Sequence, residues 1–271
     1  YSMPELTDNE GLASSTNNSA TLTKEQVLYL CDKTLYSVST DEYRVSMTGV
    51  LFQFHETFVN AVSTDSFRLS KAVVHSDTPS FPQNFEVLLP ARSVEILKKV
   101  DADVFMTTIE NFGKVSHIRF DIGDTTFITR IINEKFPPYE NVIPTANEKN
   151  LTVDIDEFLS SLRRVSLFAN EKSKQVKLLI DENQLKFYAE DDETGKSGEE
   201  IISCEFNAEH YEIIFNYKYL IEAVEHITAR DTTENLLHIS FAEPSRPVLI
   251  VPNNDKNELL LLVMPIRNPS Y

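Results

Sequence analysis

The chain has 271 residues with 6 glycines, no tryptophan and 41% hydrophobic residues, a composition typical of globular proteins rather than collagen-like or low-complexity chains. Its formal net charge of −17 favours solubility and, taken alone, argues against tight electrostatic binding of nucleic acid. No apolar run approaches the length of about 18 residues that a membrane-spanning helix needs, and the chain length favours two domains.

Residues 1–20 are rich in Ser, Asn and Thr and lack hydrophobic periodicity, so we interpret them as a linker or tail. They contain no Lys or Arg and no apolar core, which is unlike a secretory signal. Because the chain starts at Tyr1 and not at Met, we expect it to be a piece of a longer protein. Cys31 and Cys204 lie in separate apolar segments without a Cys-x-x-Cys pair, which predicts buried free thiols and a cytoplasmic location.

Four helices are predicted from apolar spacing and capping signals. They cover residues 24–36, 90–100, 154–168 and 217–227. Pro90 fits the first position of the second helix. In the third, apolar residues recur at i, i+3, i+4 and i+7 from Ile155, after Asp154, whose carboxylate suits a helix start. In the fourth, Asn216 is placed as the N-cap.

Short segments of alternating apolar and polar residues surround the helices and predict antiparallel hairpins. The order strand, helix and three strands occurs four times, starting near residues 21, 85, 151 and 211. This repetition indicates duplication of one supersecondary unit, with two units in each domain. The sequence therefore predicts an α+β fold with domains at 21–146 and 147–271, each with two helices on one side of curved antiparallel sheets.

The carboxyl end contains an uninterrupted aliphatic strand that follows Glu258 and continues to Val263. Such a strand must be covered on both faces, whereas Pro265 lacks the amide that a central ladder requires. We therefore expect Met264 and Ile266 to lie near the surface, at the lip of a pocket. Exposed apolar side chains of this kind indicate a binding partner.

Enzymatic motifs are weak in this sequence. Gly195-Lys196-Ser197 imitates the end of a phosphate-binding loop, but the required glycine is replaced by Glu190. The six histidines do not cluster, so neither a metal site nor any other cofactor is predicted. We assign no catalytic residue. Two other classes stay open, a metal-dependent nuclease or hydrolase that uses acidic groups and a small-ligand binding module.

Five motifs in a fixed order carry a resemblance to a known family. They are STDSFRL at 63–69, KFPPYENVIP at 135–144, ANEK at 169–172, FN at 215–216 and VMPIR at 263–267. In this order the chain resembles the bacterial DNA polymerase III beta subunit, the sliding-clamp family. The resemblance covers the second and third of the three clamp domains in that family.

The resemblance implies a peptide groove between the two domains. Carried over position by position, the second domain would contribute Met47, Thr64, Ser66, Phe67, Arg68, Leu69, Pro137, Asn141 and Val142. The third would contribute Asn216, Tyr219, Ser245, Pro247, Leu262, Val263, Met264, Pro265, Ile266 and Arg267. The chain departs from the family pattern at Ser66-Phe67, where Gly-His is common, and at Asn141, where Arg is frequent.

The resemblance also implies a non-catalytic processivity factor that encircles duplex DNA as a homodimeric ring. Its partners would be DNA, bound without sequence readout, the polymerase III catalytic subunit, the clamp loader and other proteins with a clamp-binding motif, in the nucleoid region of the cytoplasm. The residues expected to face DNA are Lys24, Lys33, Arg92, Lys98, Lys99, Arg163, Arg164 and Lys218. The residues expected at the subunit interface are Leu167, Phe168 and Glu200. Without the first domain, we expect this chain not to close the usual ring.

Overall fold

The structure is a computed structural model that describes residues 18–82, 84–227, 231–232, 234–252 and 258–267. Most of the predicted tail at 1–20 therefore lies outside the described residues. Within the described ranges, no helix combines the length and apolar character needed to cross a bilayer.

The described residues of the amino-terminal half form eight strands and two α-helices. In chain order they are β1 (Ser19–Leu22), α1 (Lys24–Leu35), β2 (Gly49–His55), β3 (Phe58–Thr64), β4 (Arg68–His75), β5 (Phe85–Pro90), α2 (Ala91–Leu97), β6 (Val104–Asn111), β7 (Lys114–Ile122) and β8 (Thr125–Arg130). Short 3-10 helices occur at Val45–Met47 and Tyr139–Val142.

The carboxyl-terminal half repeats this order with one additional short strand. Its elements are β9 (Lys149–Asp154), α3 (Ile155–Ser166), β10 (Gln175–Asp181), β11 (Gln184–Asp191), β12 (Lys196–Ser203), β13 (Glu205–Phe206), β14 (Tyr211–Asn216), α4 (Tyr217–Glu225), β15 (Leu236–Phe241), β16 (Val248–Pro252) and β17 (Leu259–Val263). The predicted repeat of strand, helix and three strands is thus present four times, and the extra strand is β13.

The helices begin where capping groups satisfy their first amides. Thr23 and Gln26 form a capping box at the start of α1, and Asp154 accepts a hydrogen bond from the amide of Glu157 at the start of α3. Asn216 caps α4 as predicted. Pro90 differs from the prediction, because it ends β5 and precedes the first helical residue of α2.

The strands found in the described residues all pair antiparallel, in three sheets. Two four-stranded sheets have the orders β1-β6-β7-β8 and β12-β11-β10-β14. The third sheet has nine strands in the order β13-β9-β15-β16-β17-β4-β3-β2-β5. It runs through both halves because β17 pairs with β4, with Leu259 opposite Ala72 and Val263 opposite Arg68. We call this β4–β17 contact the seam.

The interior is apolar and continuous across both halves. Phe158 and Phe187, for example, are fully buried and pack edge to face at 5.2 Å between ring centroids. A smaller apolar cluster lies beneath the seam and includes Leu51, Leu69 and Leu262. Burial of each such side chain contributes about 1.5–3 kcal/mol to folding, so this cluster stabilises the pairing of the two halves at the seam.

A buried polar cluster, formed by Tyr29, Lys33, His226 and Asp231, joins the halves beside the seam. The Lys33 ammonium lies 2.6 Å from the Asp231 carboxylate and donates to the His226 carbonyl, and the Tyr29 hydroxyl donates to Asp231 at 2.9 Å. Lys33 is only 2% exposed. The expectation that Lys33 faces DNA is therefore wrong, because its charge is enclosed and paired inside the protein.

Candidate functional site

The turn between β3 and β4 forms one side of the site. The Asp65 carboxylate accepts hydrogen bonds from the amides of Phe67 at 2.9 Å and Arg68 at 3.0 Å, which closes the turn. Ser66 has a φ of 80°, a left-handed backbone conformation that costs a non-glycine residue about 1–2 kcal/mol. Its hydroxyl accepts a hydrogen bond from Arg44 at 2.9 Å.

The strand end after β17 forms the other side. The Met264 amide donates to the Phe67 carbonyl at 2.7 Å, and the Ile266 amide donates to the Ile214 carbonyl at 2.8 Å. Pro265 lies between these two bonds, so the chain leaves the ladder where the sequence predicted. Met264, Pro265 and Ile266 are half-buried at the surface. Val263 is fully buried, so its expected place in the groove lining is wrong.

A cavity of about 910 Å³ opens at the seam, between the two halves. It is lined by eleven of the predicted groove residues, namely Met47, Thr64, Ser66, Arg68, Leu69, Pro137, Asn141, Val142, Pro247, Leu262 and Met264. We call it the seam cavity. Its volume falls within the range of about 300–1,000 Å³ that is usual for ligand sites.

A second cavity, of about 760 Å³, adjoins the carboxyl end of the chain. Three predicted groove residues, Ser245, Ile266 and Arg267, line this second cavity and not the seam cavity. The five predicted residues that line neither cavity are Phe67, Asn216, Tyr219, Val263 and Pro265. Phe67 nevertheless lies between two lining residues, Ser66 and Arg68. It is 54% exposed and stacks on Tyr219 with ring centroids 6.2 Å apart.

Several residues of the seam cavity were missed by the sequence analysis. They are Pro138, Tyr139, Ile143, Pro144, Thr145, Ala146, Asn147, Ala242, Glu243 and Arg246. Most belong to the segment that connects the halves. Asn147 anchors it by donating to the carbonyls of Ser240 at 2.8 Å and Pro247 at 3.2 Å. The proline-rich motif at 135–144 was a usable signal for the connecting segment, whereas no sequence motif marked Glu243 or Arg246.

The charge of Arg68 is paired with carboxylates inside the protein. Its side chain is 11% exposed, its Nε donates to Asp65 at 3.0 Å, and a terminal nitrogen is bonded to Glu222. Tyr36 and Tyr219 pack against the guanidinium at 5.4 and 4.8 Å. Burial opposes the charge, but the hydrogen bond to Glu222 and the nearby carboxylates raise the pKa of Arg68. Burial also raises the pKa of Tyr36 and Tyr219. Arg68 therefore acts as a structural link across the seam.

The remaining basic residues expected to face DNA are exposed on or beside the four helices. Three of them form ion pairs: Lys98 with Asp32 at 2.7 Å, Arg163 with Glu225 at 2.6 Å, and Arg164 with Glu200. The other four have no ion pair among the described residues; they are Lys24, Arg92, Lys99 and Lys218. The helix surfaces thus carry mixed charge, with some cations available to solvent.

The residues expected at the subunit interface are grouped around β12, an edge strand of its sheet. Leu167 is 81% exposed, and the Phe168 ring covers Gly198, where an added Cβ would lie 2.3 Å from the ring. Glu200 is bonded to Arg164 and to the Ser161 hydroxyl. The hydrogen bond from Arg164 lowers the pKa of Glu200.

Family comparison identifies both halves. Residues 21–138 match the model of the DNA polymerase III beta subunit, central domain, and residues 140–267 match that of the C-terminal domain. The chain belongs to the DNA polymerase III beta subunit family. This result confirms the resemblance that the five ordered motifs indicated.

Individual relatives in the beta subunit family agree with this assignment. The beta sliding clamp of Caulobacter vibrioides is 28% identical over 247 residues, which cover 89% of this chain and 64% of the relative. The beta sliding clamp of Streptococcus pneumoniae is 28% identical over 240 residues, which cover 88% of this chain and 61% of the relative. The chain thus spans less than two thirds of the length of these relatives.

Solved structures show the same fold. The sliding clamp of Bartonella birtlesii, bound to griselimycin, matches with a TM-score of 0.84 at 27% identity and covers 98% of this chain and 70% of its own. The DNA polymerase III beta subunit of Thermotoga maritima matches with a TM-score of 0.84 at 21% identity, over 98% of this chain and 70% of its own. The predicted α+β clamp fold is therefore confirmed. In the described part of this family member, no group of three or more His, Cys, Asp or Glu residues is placed to hold a metal ion.

Proposed function

We propose that the chain is the central and C-terminal portion of a sliding clamp, which acts as a non-catalytic processivity factor of a replicative DNA polymerase. The observation that carries this proposal is the seam cavity, because it lies where the groove residues implied by the family meet. In this proposal, the cavity receives a short peptide from the polymerase III catalytic subunit, the clamp loader or another protein with a clamp-binding motif.

The lining suits a peptide with a few large apolar side chains. Leu69 and Leu262 form a rigid floor, while Met264 at the lip has an unbranched side chain that adapts its shape to different ligands. Burial of two large apolar peptide side chains contributes about 3–6 kcal/mol, and part of this is offset by ordering the peptide. Affinity in the micromolar range follows, which suits partners that exchange on one platform.

We further propose that the helices face duplex DNA in the complete ring. A ring holds DNA by encirclement, so strong binding is not required and a net charge of −17 is no obstacle. The exposed cations Lys24, Arg92, Lys99 and Lys218 would attract phosphates without reading bases, which permits sliding. Such a protein would work at the nucleoid, in the cytoplasm.

The subunit contact of the homodimer is proposed at β12 and the end of α3. An edge strand presents unpaired backbone groups, and exposed apolar side chains beside it indicate a protein contact. Leu167 and Phe168 provide such side chains, as does Ile201, which is 53% exposed. Glu200, held by Arg164, would add charge complementarity at the rim.

A peptide titration tests the groove. A fluorescent peptide that contains Gln, Leu and a terminal Leu-Phe is titrated against the wild type, Met264→Asp and the volume-matched control Met264→Leu. We expect a micromolar Kd for the wild type and Met264→Leu, and at least about tenfold weaker binding to Met264→Asp, because a carboxylate replaces apolar surface at the lip. Equal binding by all three proteins would contradict the assignment.

A further inference from the structure

The turn between β15 and β16 places two opposite charges in the wall of the seam cavity. Glu243 and Arg246 both line the cavity, and the Arg246 amide donates to the Glu243 carbonyl at 2.9 Å. Pro244 and Pro247 restrict the backbone on either side, and the Asn147 amide holds the Pro247 carbonyl at 3.2 Å. The two charged side chains therefore extend from a well-anchored turn.

Arg246 is the cation in the lining of the seam cavity that has no ion-pair partner among the described residues. Of the three charged residues in the lining, Arg68 is buried and bonded to Asp65 and Glu222. Arg246 and Glu243 are exposed, and neither side chain forms an ion pair with the other or with any other described residue. Arg44, near the turn at Ser66, does not line the cavity and pairs with Asp41 at 3.3 Å.

We infer that Arg246 and Glu243 act as a charge filter in the seam cavity, which favours peptides that place a carboxylate next to Arg246. The inference rests on the proposed peptide-binding function and specifies the chemistry of the peptide. An arginine guanidinium can donate two parallel hydrogen bonds to a carboxylate. A molecule of net charge −17 repels acidic peptides in general, so a local cation decides whether an acidic side chain is tolerated.

The two residues have opposite effects on the same ligand. Arg246 attracts a peptide carboxylate, whereas Glu243 repels it from three residues away on the same turn. Glu243 lines both cavities, whereas Arg246 lines the seam cavity and not the second one. A change at Arg246 therefore tests the seam cavity more specifically than a change at Glu243. Because the pair is exposed, we expect each charge to change the Kd by about two- to fivefold.

The experiment uses matched peptides with the same apolar anchors. At each position that is not an anchor, one peptide carries Asp and its partner carries Asn, and every pair is titrated by fluorescence anisotropy at low and high salt. The proteins are the wild type, Arg246→Gln, Glu243→Gln and Arg130→Gln. The last variant is the control, since it removes one positive charge from an exposed arginine that lines neither cavity.

We expect the wild type to prefer Asp over Asn at one or two positions, and salt to weaken this preference. Arg246→Gln should abolish the preference, Glu243→Gln should increase it, and Arg130→Gln should leave it unchanged. If peptides bind but no position distinguishes Asp from Asn, or if Arg130→Gln acts like Arg246→Gln, the charge filter is wrong. If no peptide binds at all, the proposed function itself fails.

Discussion

Lys33 lies on α1 in the amino-terminal half, yet its ammonium group is bonded to Asp231 and His226 of the carboxyl-terminal half. A buried charge that loses its partner costs about 3–5 kcal/mol. Lys33→Met would leave the Asp231 carboxylate buried, and we expect it to lower the free energy of unfolding by about this amount in urea denaturation. The double variant Lys33→Met, Asp231→Leu removes both charges and should recover much of the loss.

The matched control for this prediction is Lys99→Met, which alters an exposed lysine that has no ion pair among the described residues. Surface substitutions of this kind usually change stability by no more than about 0.5 kcal/mol. Equal stability of Lys33→Met and Lys99→Met would show that the buried pair does not hold the halves together. The sequence could not reveal the role of Lys33, because its partner lies far away in the chain and both residues have ordinary helix or loop surroundings.

At the scale of elements, the contact between the end of α3 and β12 depends on a residue without a side chain. A Cβ on Gly198 would lie 2.3 Å from Cδ2 and 2.7 Å from Cγ of Phe168, so the whole ring would have to move. Overpacking of this kind costs about 1–3 kcal/mol. We expect Gly198→Ala to lower the urea midpoint in the wild-type background.

In the Phe168→Ala background, the same Gly198→Ala substitution should cost little, because the colliding ring is gone. A double-mutant cycle measures this coupling directly. Equal losses in both backgrounds would mean that Phe168 does not lie against Gly198 and that the arrangement of the proposed subunit contact is different.

The helices were predictable because each carries a local signal: a capping group such as Asp154 or Asn216 before an apolar period of 3.6, or, for α2, a proline at the helix start. Their ends were less predictable, since α1, α2, α3 and α4 all stop before the predicted last residue. In β17 every residue is aliphatic, so no alternation marked Val263 as buried, whereas Pro265 correctly indicated that Met264 lies near the surface. The position of Arg246 was missed for a different reason, because it depends on a turn that no motif identified.

At the scale of the whole molecule, the nine-stranded sheet joins the two halves through continuous backbone hydrogen bonding. The sequence indicated two domains, but the pairing of β4 with β17 joins strands from opposite ends of the chain. Local sequence patterns contain no information about such distant pairing, which depends on the complementary edges of the two strands. Arg68 and the buried polar cluster reinforce the same seam from the helix side.

We therefore expect the two halves to unfold together. Because the chain has no tryptophan, Phe127→Trp in the first half and Tyr188→Trp in the second provide separate fluorescence reporters. In urea, both should give the same midpoint if the seam couples the halves. Leu261→Pro removes a ladder amide from the middle of β17 and leaves a buried acceptor unpaired, which costs about 1–3 kcal/mol.

With Leu261→Pro, we expect the two midpoints to separate, since the pairing of β17 with β16 and β4 is weakened while the pairing of β1–β8 with one another is left intact. Glu209→Pro, in the exposed loop before β14, provides a control with proline outside the seam but within the second half, at an amide that forms no hydrogen bond among the described residues. Separate midpoints already present in the parent proteins would contradict coupling through the seam. In that case the seam cavity would lie between two independently stable domains, and peptide binding would have to stabilise their contact; the midpoints would then approach each other as peptide is added.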